Sequence, residues 1–230
     1  MASARAAMTD DKDSLKFLLG ATALSIIFSY IPFAGLFTYP FRLFVTFIHE
    51  GGHAAATWLT FGHVDRIVIN PDTSGVTLTL GGLGLLVASA GYLTTTIYGA
   101  TLLVICRQGR SSKSVIALTA AAILALTVFV VSGTFGWLVG LGLVAGLIYV
   151  AVAASIRVAH FFLSFLAVQC CLNALYDLNT LFVISAMSRT PSDAMNMQRM
   201  TMIPAVFWSV AWLGVSIIVL IWALRKHLKG

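Results

Sequence analysis

Apolar runs of bilayer-spanning length follow one another through most of this chain, and few folds accept them. They extend from Leu15 to Phe37, from about Pro40 to Phe61, from Gly81 to Cys106, from Ser114 to Ile156, from about Arg157 or His160 to Ser188, and from Ile203 to Leu224. The fourth is long enough for two short spans, joined at Ser132-Gly133-Thr134-Phe135-Gly136. In hydrocarbon every backbone polar group must be satisfied within the protein. The expected fold is therefore an all-α polytopic membrane protein of about six to seven transmembrane helices, with residues 1–230 forming one integral membrane domain. Composition agrees: 59% of residues are hydrophobic and 10% charged, against roughly 25% charged in a soluble domain.

The net charge of +6 comes mainly from short Lys and Arg clusters flanking these runs, such as Arg107, Arg110 and Lys113, or Arg225, Lys226 and Lys229. Such clusters settle against anionic headgroups, so the lipid bilayer is the expected partner and nucleic acid is not. Lys and Arg divide almost evenly between the two sides, which leaves orientation open. No small-residue cleavage site follows the first run, so it reads as a retained span. Cys106, Cys170 and Cys171 lie in or beside apolar runs and suggest no disulfide framework. The expected location is a membrane crossed several times, the cell membrane in the first instance.

One apolar run carries groups that are costly there. Phe47-Ile48-His49-Glu50-Gly51-Gly52-His53-Ala54 puts two imidazoles and the chain's only glutamate near the middle of the second span. On a helix His49 and His53 share a face. Both nitrogens could reach one tetrahedral Zn²⁺, with Glu50 close enough to polarise a water: the HExxH spacing of zinc hydrolases. In a soluble helix such a match can arise by chance. In a membrane a full charge costs on the order of 2 to 3 kcal/mol or more, which weighs against chance.

After Phe61-Gly62-His63 the pattern alternates. Val64 to Ile69 and Val76 to Leu80 are rich in β-branched residues and bracket Asn70-Pro71-Asp72-Thr73-Ser74-Gly75, which predicts a β-hairpin after the motif helix. It could lie against the membrane core or outside it. Pro40 suits the first turn of the motif helix, and Pro32 is expected to bend the end of the first span.

A catalytic zinc site needs a third protein ligand. Past the amino terminus the other carboxylates are Asp65, Asp72, Asp177 and Asp193, and only Asp177 lies inside an apolar span. It is the candidate third ligand, the alternative being a polar staple between helices. Asn173, one turn earlier, could hold that carboxylate, contact a substrate carbonyl, or bond another helix. His160 reads as an interfacial histidine, His63 as the hairpin's entrance, and Asp193 as a helix cap.

The transmembrane HEGGHA of residues 49–54, the hairpin, the span rich in small residues and the aspartate in a later span resemble the site-2 protease family of intramembrane zinc metalloproteases. The resemblance is to compact members lacking a PDZ domain, and covers about residues 40–106 plus 160–187. It implies zinc held by His49, His53 and Asp177, Glu50 as general base, a hairpin that guides an extended substrate strand, and a membrane-protein substrate. Asn173-Ala174 and Asp177-Leu178 stand where the family usually carries Asn-Pro and Asp-Gly pairs. The alternative is a non-catalytic membrane protein, either a pseudoprotease or an ion-binding transporter, that keeps the motif.

Overall fold

The computed structural model describes residues 2–30, 35–107, 111–187 and 191–229. Helices α1 (Ala2–Tyr30) and α2 (Gly35–Leu59) precede strands β1 (His63–Ile69) and β2 (Gly75–Leu80). Then come α3 (Gly84–Cys106), α4 (Ser112–Phe129), β3 (Val131–Ser132), α5 (Thr134–Ala153), α6 (Ile156–Met187), α7 (Asp193–Thr201) and α8 (Ala205–Lys229). Five helices, α3, α4, α5, α6 and α8, are long and apolar enough to cross a membrane, and α1 adds a shorter apolar stretch from Ser14 to Phe28. The protein is a helical, multi-pass integral membrane protein. The α2 helix is long enough at 25 residues, yet Arg42, Glu50 and two histidines make it the polar member of the bundle.

Several boundaries differ from those read in the sequence. The first helix runs back to Ala2, through a segment rich in alanine, the best helix former. Pro40 stands inside α2 rather than in its first turn. A proline there withholds one N–H from the carbonyl four residues back, which belongs to Leu36 at the 76% exposed start of the helix. The break expected at Ser132-Gly133 exists, and it also forms β3. Pro32, Arg110 and Arg189 lie outside the described residues.

Helix α3 packs on α2, α6, α7 and α8. Its small residues permit this, as expected of helices that associate in lipid. Gly52 of α2 approaches the Ala90 carbonyl and Thr94 so closely that a Cβ would stand 2.8 Å from them. Gly99 meets Cys170 and Cys171 of α6 in the same way, at 3.0–3.2 Å.

The hairpin expected from alternation is present, antiparallel from His63↔Leu80 to Ile69↔Gly75 with an irregularity between Val64 and Arg66. It lies against α2. Tyr39 Oη donates to the Pro71 carbonyl and Thr46 Oγ1 to the Thr73 carbonyl, each at 2.6 Å, tying the turn to the start of that helix. Strand β3 pairs in parallel with the other side of β1, and the Ile67 N–H donates to the Val130 carbonyl at 2.7 Å. The order is β2-β1-β3. Strand β1 is thus paired along one side by β2 and at Ile67 and Val68 on the other by β3, whereas β2 is an edge strand. After β2, Gly81 and Gly82 adopt φ of +73° and +75°, which a side chain would resist, and turn the chain into α3.

Candidate metal centre

One turn apart on α2, His49 and His53 bring their Nε2 atoms to 3.1 Å, with the rings edge to face. The carboxylate that joins them is Asp193. Its Oδ2 stands 3.4 Å from His49 Nε2 and 3.3 Å from His53 Nε2. Among the described residues these three form the group able to hold a metal ion. Donor atoms about 2.0 to 2.2 Å from one tetrahedral zinc stand roughly 3.3 to 3.6 Å from each other; both histidine–carboxylate sides match this and the Nε2–Nε2 side is slightly shorter. Three protein donors would leave a bound zinc one position for water or substrate.

The surroundings suit a cation as well. His53 Nδ1 lies 2.6 Å from the Val87 carbonyl, which can only accept, so Nδ1 carries a proton, and with a metal bound Nε2 would be the nitrogen that offers its lone pair to the centre. Such an outer hydrogen bond is how metal-binding histidines are oriented. Gly91 of α3 supplies the space, since a Cβ there would run into Nε2 of both histidines. Burial alone would raise the Asp193 carboxyl, but hydrogen bonds from His49 and His53 and their charge outweigh it, holding Asp193 below the ordinary carboxylate range.

Asp193 reaches the histidines because it is not the cap. Ser192 caps α7, its side chain accepting from the Met195 N–H at 3.3 Å, which leaves Asp193 at the first helical position with its carboxylate free. Ala194 and Met197 are buried in a cluster with Ala88, Leu178, Leu181 and Trp212, which seats α7 against the bundle. Gln198 Oε1 accepts from the Ala205 N–H at 2.8 Å and fixes α7 to the start of α8.

Glu50 is 4% exposed. Thr77 of β2 donates to its Oε2 at 2.6 Å and to its backbone carbonyl at 3.1 Å, which fixes one carboxylate oxygen and leaves Oε1 available. Gly75 lets β2 pass this close, because a Cβ there would stand 2.7 Å from Glu50 Cγ and Oε1. Both histidines, Glu50, Asp193 and the edge strand line one cavity of about 800 Å³.

The other residues singled out in the sequence take different places. Asp177 lines the same cavity, within electrostatic reach of His49 and Arg42, but it is not part of the three-donor cluster. The expectation that it completes the histidine pair is corrected to that extent: the carboxylate beside the imidazoles comes from α7. Asn173 lies off the cavity wall and donates to the Gln169 carbonyl of its own helix at 2.8 Å. His160 is buried and bonds the Cys106 carbonyl at the end of α3, where Ser14 also donates at 2.8 Å. His63 begins β1 opposite Leu80, as expected. Asp193 could have been found from Ser192 beside it, a better-placed cap for a helix starting there.

A family model described as Peptidase M50B-like matches residues 18–223. No curated protein and no solved structure matches the chain. The family match spans nearly all of the bundle, including α2 and α7, and agrees with the resemblance to site-2 proteases. The chain belongs to the M50B-like peptidases, a family of membrane metallopeptidases.

Proposed function

We propose that this protein is a zinc endopeptidase that hydrolyses peptide bonds of a membrane-embedded substrate, with His49, His53 and Asp193 as the metal ligands and Glu50 as general base. The observation that carries the reading is the triangle of two Nε2 atoms and one carboxylate oxygen with 3.1–3.4 Å sides, set in the same cavity as a buried glutamate. Bound there, zinc supplies Lewis acidity, lowering the pKa of water at the open vertex toward about 7.

The chain's own residues supply the rest. Glu50 Oε1 accepts a proton from the attacking water, while Thr77 keeps Oε2 occupied and the carboxylate in one orientation. Glu50 then returns that proton to the leaving amine nitrogen. The unpaired edge of β2 can hydrogen-bond an extended substrate segment, as edge strands do in β-augmentation. That suits a substrate helix that must unwind before its carbonyls become reachable. Gly75, Thr77 and Thr79 line the cavity, so the scissile bond would be presented beside Glu50.

The test is Glu50→Gln in purified protein. Proteolysis of a membrane-embedded substrate should vanish while about one zinc per chain remains. Proteolysis that survives would contradict the general-base role, and a transporter or pseudoprotease would show no proteolysis in the wild type either.

A further inference from the structure

Peptide hydrolysis places negative charge on the carbonyl oxygen, and preorganised hydrogen-bond donors aimed at that charge are a large part of catalysis. The cavity offers several neutral or cationic donors, and they differ in how firmly they are held. Arg42, Tyr176 and Asn196 are exposed. Tyr92 of α3 is different. Its ring meets the His49 ring edge-on, with centroids 4.6 Å apart and planes at 84°, and stacks on Trp212 of α8 at 5.6 Å. Trp212 is itself buried and packs on Trp208.

We propose that Tyr92 is a further catalytic residue, its phenol hydroxyl donating a hydrogen bond to the oxygen of the scissile carbonyl as charge develops there. The inference rests on the hydrolase reading above. Tyr92 follows Gly91, whose missing side chain makes room for both histidine Nε2 atoms, so the same turn of α3 carries the metal's space and the phenol. Tyr92 lines the same cavity as Glu50, His49, His53 and Asp193. Among the described residues its hydroxyl makes no hydrogen bond, and it is not sealed away from the cavity. A ring clamped between an imidazole and an indole pays little to keep its donor aimed.

The step balances without moving the tyrosine proton. The water oxygen bonds to the carbonyl carbon as Glu50 takes the water proton, and the C=O π pair moves onto the carbonyl oxygen, where Tyr92 donates. When the C–N bond breaks, that pair re-forms the C=O bond and the proton on Glu50 goes to the leaving nitrogen.

The experiment compares wild type and Tyr92→Phe, which keeps the ring stack and removes only the hydroxyl. Cleavage of a fluorescein-labelled single-span transmembrane peptide in detergent micelles gives kcat and KM, and elemental analysis gives zinc. The proposal predicts kcat lower by about 10²- to 10³-fold, KM within about twofold, and zinc unchanged. A second readout is binding of N-phosphoryl-Leu-Trp, whose tetrahedral phosphoryl oxygens imitate the developing anion; it should weaken by about 10- to 100-fold. Wild-type kcat and undiminished phosphoryl-dipeptide binding in Tyr92→Phe would overturn the proposal and leave the hydrolase reading standing. A loss confined to KM would also overturn it, since it would mark uniform binding. Wild-type protein that neither cuts the transmembrane peptide nor binds the phosphoryl dipeptide overturns the hydrolase reading and the inference with it.

Discussion

Asp177 on α6 and Asp193 on α7 line one cavity, but only the second stands beside the two imidazoles. The helices that carry them differ in nearly every respect. The α6 helix is 32 residues long and apolar enough to span a membrane, whereas α7 has nine residues and is polar overall. Depth in an apolar run therefore does not decide which carboxylate stands beside the histidines. A long helix fixes the height of its side chains but not which of them converge on a distant helix. A short helix, capped by its neighbour and pinned along one face, can aim a single carboxylate into the bundle.

The largest effect expected of a change to that arrangement lies on the helix facing both. Gly91→Val should drop zinc below about 0.1 per chain, because even the first side-chain carbon would collide with Nε2 of His49 and His53. Elemental analysis checks it, and retained zinc would show that the histidines meet the metal elsewhere. Thr77→Val comes next. Removing the hydroxyl that holds Glu50 Oε2 should lower kcat roughly tenfold with zinc retained, a hydrogen bond to a charged group being worth about 1.5 to 3 kcal/mol. Steady-state kinetics checks it, and an unchanged kcat would mean that Glu50 is held by other contacts.

The smallest effects sharpen the contrast between the two helices. Ser192→Ala should cost about 1 kcal/mol of stability through the lost cap, and should weaken zinc binding several-fold because α7 then holds Asp193 less firmly. Asn173→Ala, which removes a bond within α6 away from the cavity, should leave zinc affinity within about twofold. Competition with a chelator measures both. Equal zinc affinities for the two variants would remove the distinction drawn between α6 and α7.

These contrasts also explain what could be read from the sequence. His49, Glu50 and His53 were legible because one helix of known periodicity places all three. The hairpin was legible because alternation and a turn cluster are local signals, and the apolar runs announced the bundle. Asp193 was not, because its role depends on Ser192 taking the cap and on Ala194 and Met197 anchoring α7, which are matters of tertiary packing. The surroundings of Asn173 were hidden for a related reason: a polar side chain in an apolar helix can bond the carbonyl one turn back, as Asn173 does with Gln169. Strand β3 was hidden because two residues carry no pattern, and only their pairing with Ile67 and Val68 makes them a strand.

The claim that the metal is held from α2 and α7 is tested most directly by the zinc content of Asp193→Asn set beside that of Asp177→Asn, both purified as full chains. A neutral amide is a poor zinc ligand, so Asp193→Asn should lose most of its zinc, while Asp177→Asn should keep about one per chain. Zinc retained in Asp193→Asn and lost in Asp177→Asn would contradict the account and return the third ligand to α6.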